Sequence, residues 1–132
     1  MTSTPTAAVL TIVYAKDIAR VAAFYRGTLS LPVLEEEAGF IVLGRDGLEI
    51  AIVRMSADAA ARNEIASPPR RREQTPIKPS FLVDDFERVR AEAIAAGGDA
   101  KPLAAAWSWR GQLHLDGHDP EGNVVQFRRR EG

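Results

Sequence analysis

The sequence predicts an α+β fold made of two βαβββ modules. Three observations carry that reading. An apolar strand, an acidic helix cap and an apolar helix follow one another from Val9 through Asp17 to Tyr25. The same pattern returns from Pro79 through Asp85 to Ile94. In both, Arg-Val stands three residues after the capping Asp: Arg20-Val21 after Asp17 and Arg88-Val89 after Asp85. An internal repeat fixes the architecture before any motif is weighed.

Each element has a local cause. Val9 to Ala15, VLTIVYA, is β-branched and apolar, as a buried strand requires. Asp17 caps a helix whose Val21, Phe24 and Tyr25 recur at helical spacing, and Gly27 is read as its end. Pro32–Glu37, Phe40–Leu43 and Leu48–Val53 follow as strands, with turns at Ala38-Gly39 and Arg45-Asp46-Gly47. Residues 56–76 hold a short helix and then a Pro/Arg segment. Its Arg70-Arg71-Arg72 block is diluted by Glu64 and Glu73, so it reads as a solvated linker rather than a nucleic-acid patch. Pro79–Val83 is the next strand. Asp84-Asp85 cap a helix through Phe86, Val89, Ala93 and Ile94 that closes at Gly97-Gly98. Lys101–Ala105, Gly111–Leu115 and Asn123–Arg128 complete the strands. Before the last one, His118-Asp119-Pro120-Glu121-Gly122-Asn123 supplies the fixed φ and the positive-φ positions of a tight turn. The whole chain, 1–132, reads as a single domain: module one over 8–55, a linker over 56–76 and module two over 77–130.

Bulk properties narrow the function. A chain of 132 residues suits one domain. A net charge of −1 gives no field that draws the chain to nucleic acid or a membrane surface. Without cysteine there is no disulfide scaffold, thiolate metal site or cysteine nucleophile, and a cytoplasmic location is expected. No apolar run approaches the ~20 residues of a membrane span. MTSTPTAAV has no basic region before an apolar stretch, so no leader is expected. Gly-rich phosphate loops and G-x-S-x-G elbows are absent.

The chain resembles the vicinal-oxygen-chelate superfamily of glyoxalase I, bleomycin-resistance proteins and extradiol dioxygenases. The carriers are Val13-Tyr14-Ala15-Lys16-Asp17 with Phe24-Tyr25 and Leu29-Ser30-Leu31, then Phe81-Leu82-Val83-Asp84-Asp85, and Asp119-Pro120-Glu121-Gly122-Asn123. The resemblance implies two modules forming a cup-shaped mixed β-sheet with helices on the outside, and a homodimer. It also implies a divalent metal held by one residue from each of four strands. Two of those positions lie seven residues before the capping Asp residues, which here are Leu10 and Lys78. The third, a carboxylate on the last strand of module one, falls on Glu49. The fourth, four residues after the Gly of the final turn, is Gln126. Only Glu49 is a usual ligand, since such ions want imidazole and carboxylate donors.

Strand alternation then sorts the side chains. If Leu10 faces the cup, so do Ile12 and Tyr14, Glu49, Ala51 and Val53, Lys78, Ser80 and Leu82, and Val124, Gln126 and Arg128. Two arrangements are open for Lys78: its ammonium pairs with Glu49 and Gln126 in place of a metal, or it reaches out to the cup rim and leaves Glu49 solvated. Trp107 and Trp109 share a side if their segment is extended, and offer stacking faces. His114 is a candidate general base or metal ligand, or a hydrogen-bonded structural histidine. His118 is expected to face solvent.

The ligand-binding candidates are therefore Tyr14, Glu49, Lys78, Trp107, Trp109, His114 and Gln126. The expected function is metal-free binding of a small molecule, with no cofactor, in the manner of bleomycin-resistance proteins: sequestering an antibiotic or aromatic metabolite. The alternative is a lyase, isomerase or dioxygenase with a metal on Glu49, His114 and Gln126. A regulatory dimer with a vestigial pocket is the third reading.

Overall fold

The computed structural model describes residues 6–72 and 74–131. The amino-terminal stretch read for a leader begins in residues 1–5, which lie outside the described residues, as do Glu73 of the linker and Gly132.

Module one runs β1 (Val9–Ala15), α1 (Ile18–Leu29), β2 (Val33–Glu37), β3 (Phe40–Arg45) and β4 (Leu48–Arg54). Its sheet has the order β1-β4-β3-β2, with β1 parallel to β4 and hairpins between the rest. After a short helix, α2 (Ala57–Arg62), module two runs β5 (Ser80–Leu82), α3 (Phe86–Ala95), β6 (Asp99–Ala100), β7 (Trp107–Trp109), β8 (Gln112–His118) and β9 (Val124–Arg130). Its order is β5-β9-β8-β6, and β7 also pairs with β8. In each module the first strand lies parallel to the last, so the repeat in sequence is a repeat in topology. The fold is α+β with two mixed sheets.

Both helices start as the sequence dictates. Asp17 Oδ1 accepts from the Arg20 N–H, and Asp85 Oδ1 from the Glu87 N–H. Their apolar stripes bury Val21, Phe24 and Tyr25 from α1, and Phe86, Val89 and Ala93 from α3. These pack on Ile50 and Ile52 of β4 and on Phe127 of β9 in one continuous core that spans the modules. Phe24 lies 6.3 Å from Phe127, ring centre to ring centre.

Three local expectations are corrected. Gly27 does not end α1, which continues to Leu29 and stops at Ser30 in the left-handed conformation, φ 54°. Gly27 is instead a point of close helix approach: a Cβ there would meet the Glu92 carboxylate of α3. The strand expected at Lys101–Ala105 is a single 3-10 turn, Leu103–Ala105, begun by Pro102. Proline has no N–H for a ladder, so the strand position is split into β6 and β7 on either side. The linker is not wholly solvated. The Arg72 N–H donates to the Gly122 carbonyl at 2.9 Å, and the Arg71 guanidinium reaches Asp116 at 3.2 Å.

The helices cover one face of the sheets. On the opposite face of β1, Leu10, Ile12 and Tyr14 are all more than half exposed, while Ala15 is sealed in the core. Among the described residues no helix is long and apolar enough to cross a membrane.

Candidate functional site

The turn before β9 is a clasp. The Asp119 carboxylate accepts from the backbone N–H groups of Glu121 and Asn123 and from the Asn123 side-chain amide. It also accepts from the Tyr25 hydroxyl of α1 at 2.9 Å. Burial, then the Asp119 charge, then that hydrogen bond hold the Tyr25 hydroxyl well above its ordinary pKa of 10.0. The Glu121 carboxylate takes the backbone N–H groups of Lys16 and Asp17, just ahead of α1. Asp119 and Glu121 are buried and engaged in joining the modules.

The helix-free face of the second sheet gathers five of the seven expected residues: Lys78, Trp107, Trp109, His114 and Gln126. Gln126 stands on the central strand β9, opposite Ser80 of β5 and Asp116 of β8. The Ser80 hydroxyl donates to Gln126 Oε1 at 2.8 Å. His114 Nδ1 lies 3.0 Å from the same oxygen, and His114 Nε2 lies 3.0 Å from the Trp109 carbonyl. Trp107 stacks on the His114 ring at 5.5 Å with 22° between planes, and Trp109 sits at 5.6 Å and 53°. The imidazole is 2% exposed, whereas Trp107 is 40% and Trp109 60% exposed. β7 thus places two indoles around a buried histidine and leaves part of each open. The Lys78 ammonium lies 5.4 Å from the Trp107 ring centre and 3.0 Å from Asp116.

The other expected residues fall apart from this group. Tyr14 shares a cavity of about 390 Å³ with Ile12, Ile77, Pro79 and Val124, where β1 meets the start of β9. Glu49 is half-buried opposite Leu10 and lines a separate cavity with Leu34 and Gly44. The expected pairing of Lys78 with Glu49 and Gln126 is corrected: its carboxylate is Asp116. Lys78 precedes β5, so Ser80 takes the register position opposite Gln126. Asp116 was legible in principle, because it shares the parity of His114 two residues away. His118 is half-buried rather than solvent-facing, and burial lowers its pKa below 6.5.

The residues present do not fit the divalent ion that the resemblance implies. Leu10 is apolar, Lys78 is a cation in an ion pair, and Gln126 offers only a neutral amide where such ions want imidazole or carboxylate. Both nitrogens of His114 are taken. No group of three or more histidine or carboxylate side chains among the described residues converges on a point that could hold a metal.

Comparison with known proteins agrees with this architecture. No curated protein matches the chain in sequence. A glyoxalase/bleomycin resistance protein/dioxygenase family enzyme from Burkholderia phytofirmans PsJN superposes with a TM-score of 0.70 at 19% identity, over 96% of this chain and 100% of that one. A glyoxalase/bleomycin resistance protein from Albidiferax ferrireducens T118 gives 0.65 at 15%, over 94% and 98%. A genomically encoded fosfomycin resistance protein from Listeria monocytogenes gives 0.63 at 14%, over 99% and 96%. These likenesses are of fold. The model of the glyoxalase-like domain matches residues 9–127, nearly the whole of both modules, and the chain therefore belongs to the glyoxalase-like domain family.

Proposed function

We propose that this protein binds a small, flat aromatic molecule without a resident metal, in the manner of the family's resistance proteins. The observation that carries the reading is the Trp107–His114–Trp109 stack. Its partly open indoles offer stacking area, and Gln126 and Lys78 lie beside them as polar anchors. An apolar surface with few polar groups is how small-molecule sites are generally made. The donor set favours binding over metal-assisted chemistry, because three of the four positions that would coordinate an ion are apolar, cationic or a neutral amide. The ligand would be an antibiotic or an aromatic metabolite held out of circulation. A homodimer belongs to the same reading, with the exposed Leu10, Ile12 and Tyr14 face available to a second copy.

Tryptophan fluorescence is the test. A panel of planar aromatic antibiotics and metabolites is titrated against the protein and against Trp107→Ala. Saturable quenching, weakened about threefold to tenfold in the variant, is expected from the loss of one stacking partner. No saturable response from any planar aromatic would overturn the reading. Retention of about one equivalent of Ni, Zn, Mn or Fe(II) after desalting would replace it with the metal-dependent lyase, isomerase or dioxygenase.

A further inference from the structure

The hydrogen bonds around His114 restrict what the ligand must offer. The Trp109 carbonyl can only accept, so His114 Nε2 carries a hydrogen. A neutral imidazole then has a bare Nδ1, which can only accept. Its partner at 3.0 Å is the terminal atom of the Gln126 carboxamide that also meets the Ser80 hydroxyl. With a carbonyl oxygen there, only an imidazolium satisfies both contacts. Such a cation would be 2% exposed and directly across the ladder from Arg128, with the Lys78 ammonium over the neighbouring indole. Neither of its ring nitrogens has a carboxylate partner, and burying an unpaired charge is costly.

The amide's two ends are nearly isosteric, and the surrounding network decides which end goes where. An NH₂ group in the shared position has two hydrogens, one for His114 Nδ1 and one for the Ser80 oxygen. Turned over in this way from the orientation with its oxygen there, the amide gives both His114 Nδ1 and the Ser80 oxygen a donor while the ring stays neutral.

We infer that the buried His114 orients Gln126 so that its carbonyl oxygen is the free end, and that the ligand is a planar aromatic bearing an N–H or O–H donor. The free end has no partner among the described residues and is not among the buried unpaired atoms, so it is not sealed from solvent. Gln126 is then a specificity residue, His114 a positioning residue, and Trp107 and Trp109 supply the stacking faces. The donor requirement rests on the proposed aromatic site; the amide orientation does not.

Two measurements separate those parts. Long-range ¹H–¹⁵N spectra of the imidazole, taken near pH 8 where an ordinary histidine is neutral, read His114 directly. One protonated nitrogen, Nε2, and one bare nitrogen are expected. Gln126→Glu removes the amide donor, so its His114 is expected to gain a second N–H. Two protonated nitrogens in the wild type, or identical patterns in both proteins, would overturn the orientation. The second measurement compares 2-naphthol with 2-methoxynaphthalene, which share a ring system but differ in the O–H. The naphthol is expected to bind about tenfold tighter, the worth of one net hydrogen bond. Equal affinities would overturn the donor requirement. If neither binds, the aromatic site and the donor requirement fall together, while the imidazole spectrum still decides the orientation.

Discussion

Arg88 and Arg20 hold equivalent places in the two modules and reach across the helix pair in opposite directions. Arg88, in the first turn of α3, donates to the carbonyls of Gly27 and Thr28 at 2.8 and 3.1 Å, in the last turn of α1. Arg20, in the first turn of α1, packs on Gly97 just beyond α3, where an added Cβ would strike its guanidinium. Each helix start therefore places a cation at the other helix's end, where unpaired carbonyls and the dipole favour it.

Replacing Arg88 with Met keeps much of the stem and removes the charge. The two carbonyls lose their donors, and Asp84 loses its partner, an exposed pair worth little. A loss of about 1–2 kcal/mol in urea unfolding is expected. A change below about 0.3 kcal/mol would mean that water satisfies the end of α1 as well as arginine does.

Tyr25 and Asp119 make stability fall at alkaline pH. The folded state holds the Tyr25 proton above its ordinary pKa of 10.0, while the unfolded chain releases it there. The folded-state contribution is thus fully present below about pH 10 and declines as pH rises from that point. One proton gives a slope of about 1.4 kcal/mol per pH unit. Urea titrations between pH 8 and 11 should show that slope in the wild type and a flatter curve in Tyr25→Phe. Parallel curves would place the alkaline loss elsewhere.

Gly122 and Gly111 both take positive φ, +87° and +72°, but their surroundings differ. A Cβ on Gly111 meets nothing within 4 Å, whereas one on Gly122 collides with the Arg70 carbonyl of the linker. Gly111→Ala is expected to cost about 1–2 kcal/mol from the left-handed backbone alone. Gly122→Ala carries the same strain and must also push back the linker. Its denaturation midpoint should fall further, with faster proteolysis in the Arg70–Arg72 segment. Equal midpoints would show that the linker does not rest on the turn.

The architecture was readable because it repeats: two capping aspartates, two apolar stripes and one Asp-Pro-Glu-Gly-Asn turn are local signals. Strand parity also placed Leu10, Ile12 and Tyr14 on the open face. What escaped was pairing across distance. Parity says that Lys78 lies on the open side, but not which of several carboxylates it meets. That depends on where β5 begins, and Pro79 delays it to Ser80. The buried state of His114 escaped for a similar reason. Its cover comes from β7, whose pairing with β8 follows from Pro102 breaking the preceding strand.

Asp116 is where that missed pairing is best measured. Its side chain is 14% exposed and holds Lys78 at 3.0 Å and Arg71 at 3.2 Å, so the carboxylate anchors the linker from two sides. Lys78 itself is 35% exposed, and solvent screening limits the pair. A double-mutant cycle with Lys78→Ala and Asp116→Ala should return a coupling of about 0.5–1 kcal/mol that shrinks in 1 M salt. The parallel cycle with Lys78→Ala and Glu49→Ala should return a coupling of about zero, since no contact joins those side chains. The single Asp116→Ala variant should cost more than either coupling, because it leaves Arg71 partly buried without its carboxylate. A Lys78–Glu49 coupling larger than the Lys78–Asp116 one would mean that in solution the ammonium crosses to the first sheet. The polar anchor beside Trp107 would then be Asp116 rather than Lys78, and the proposed site would favour cationic rings.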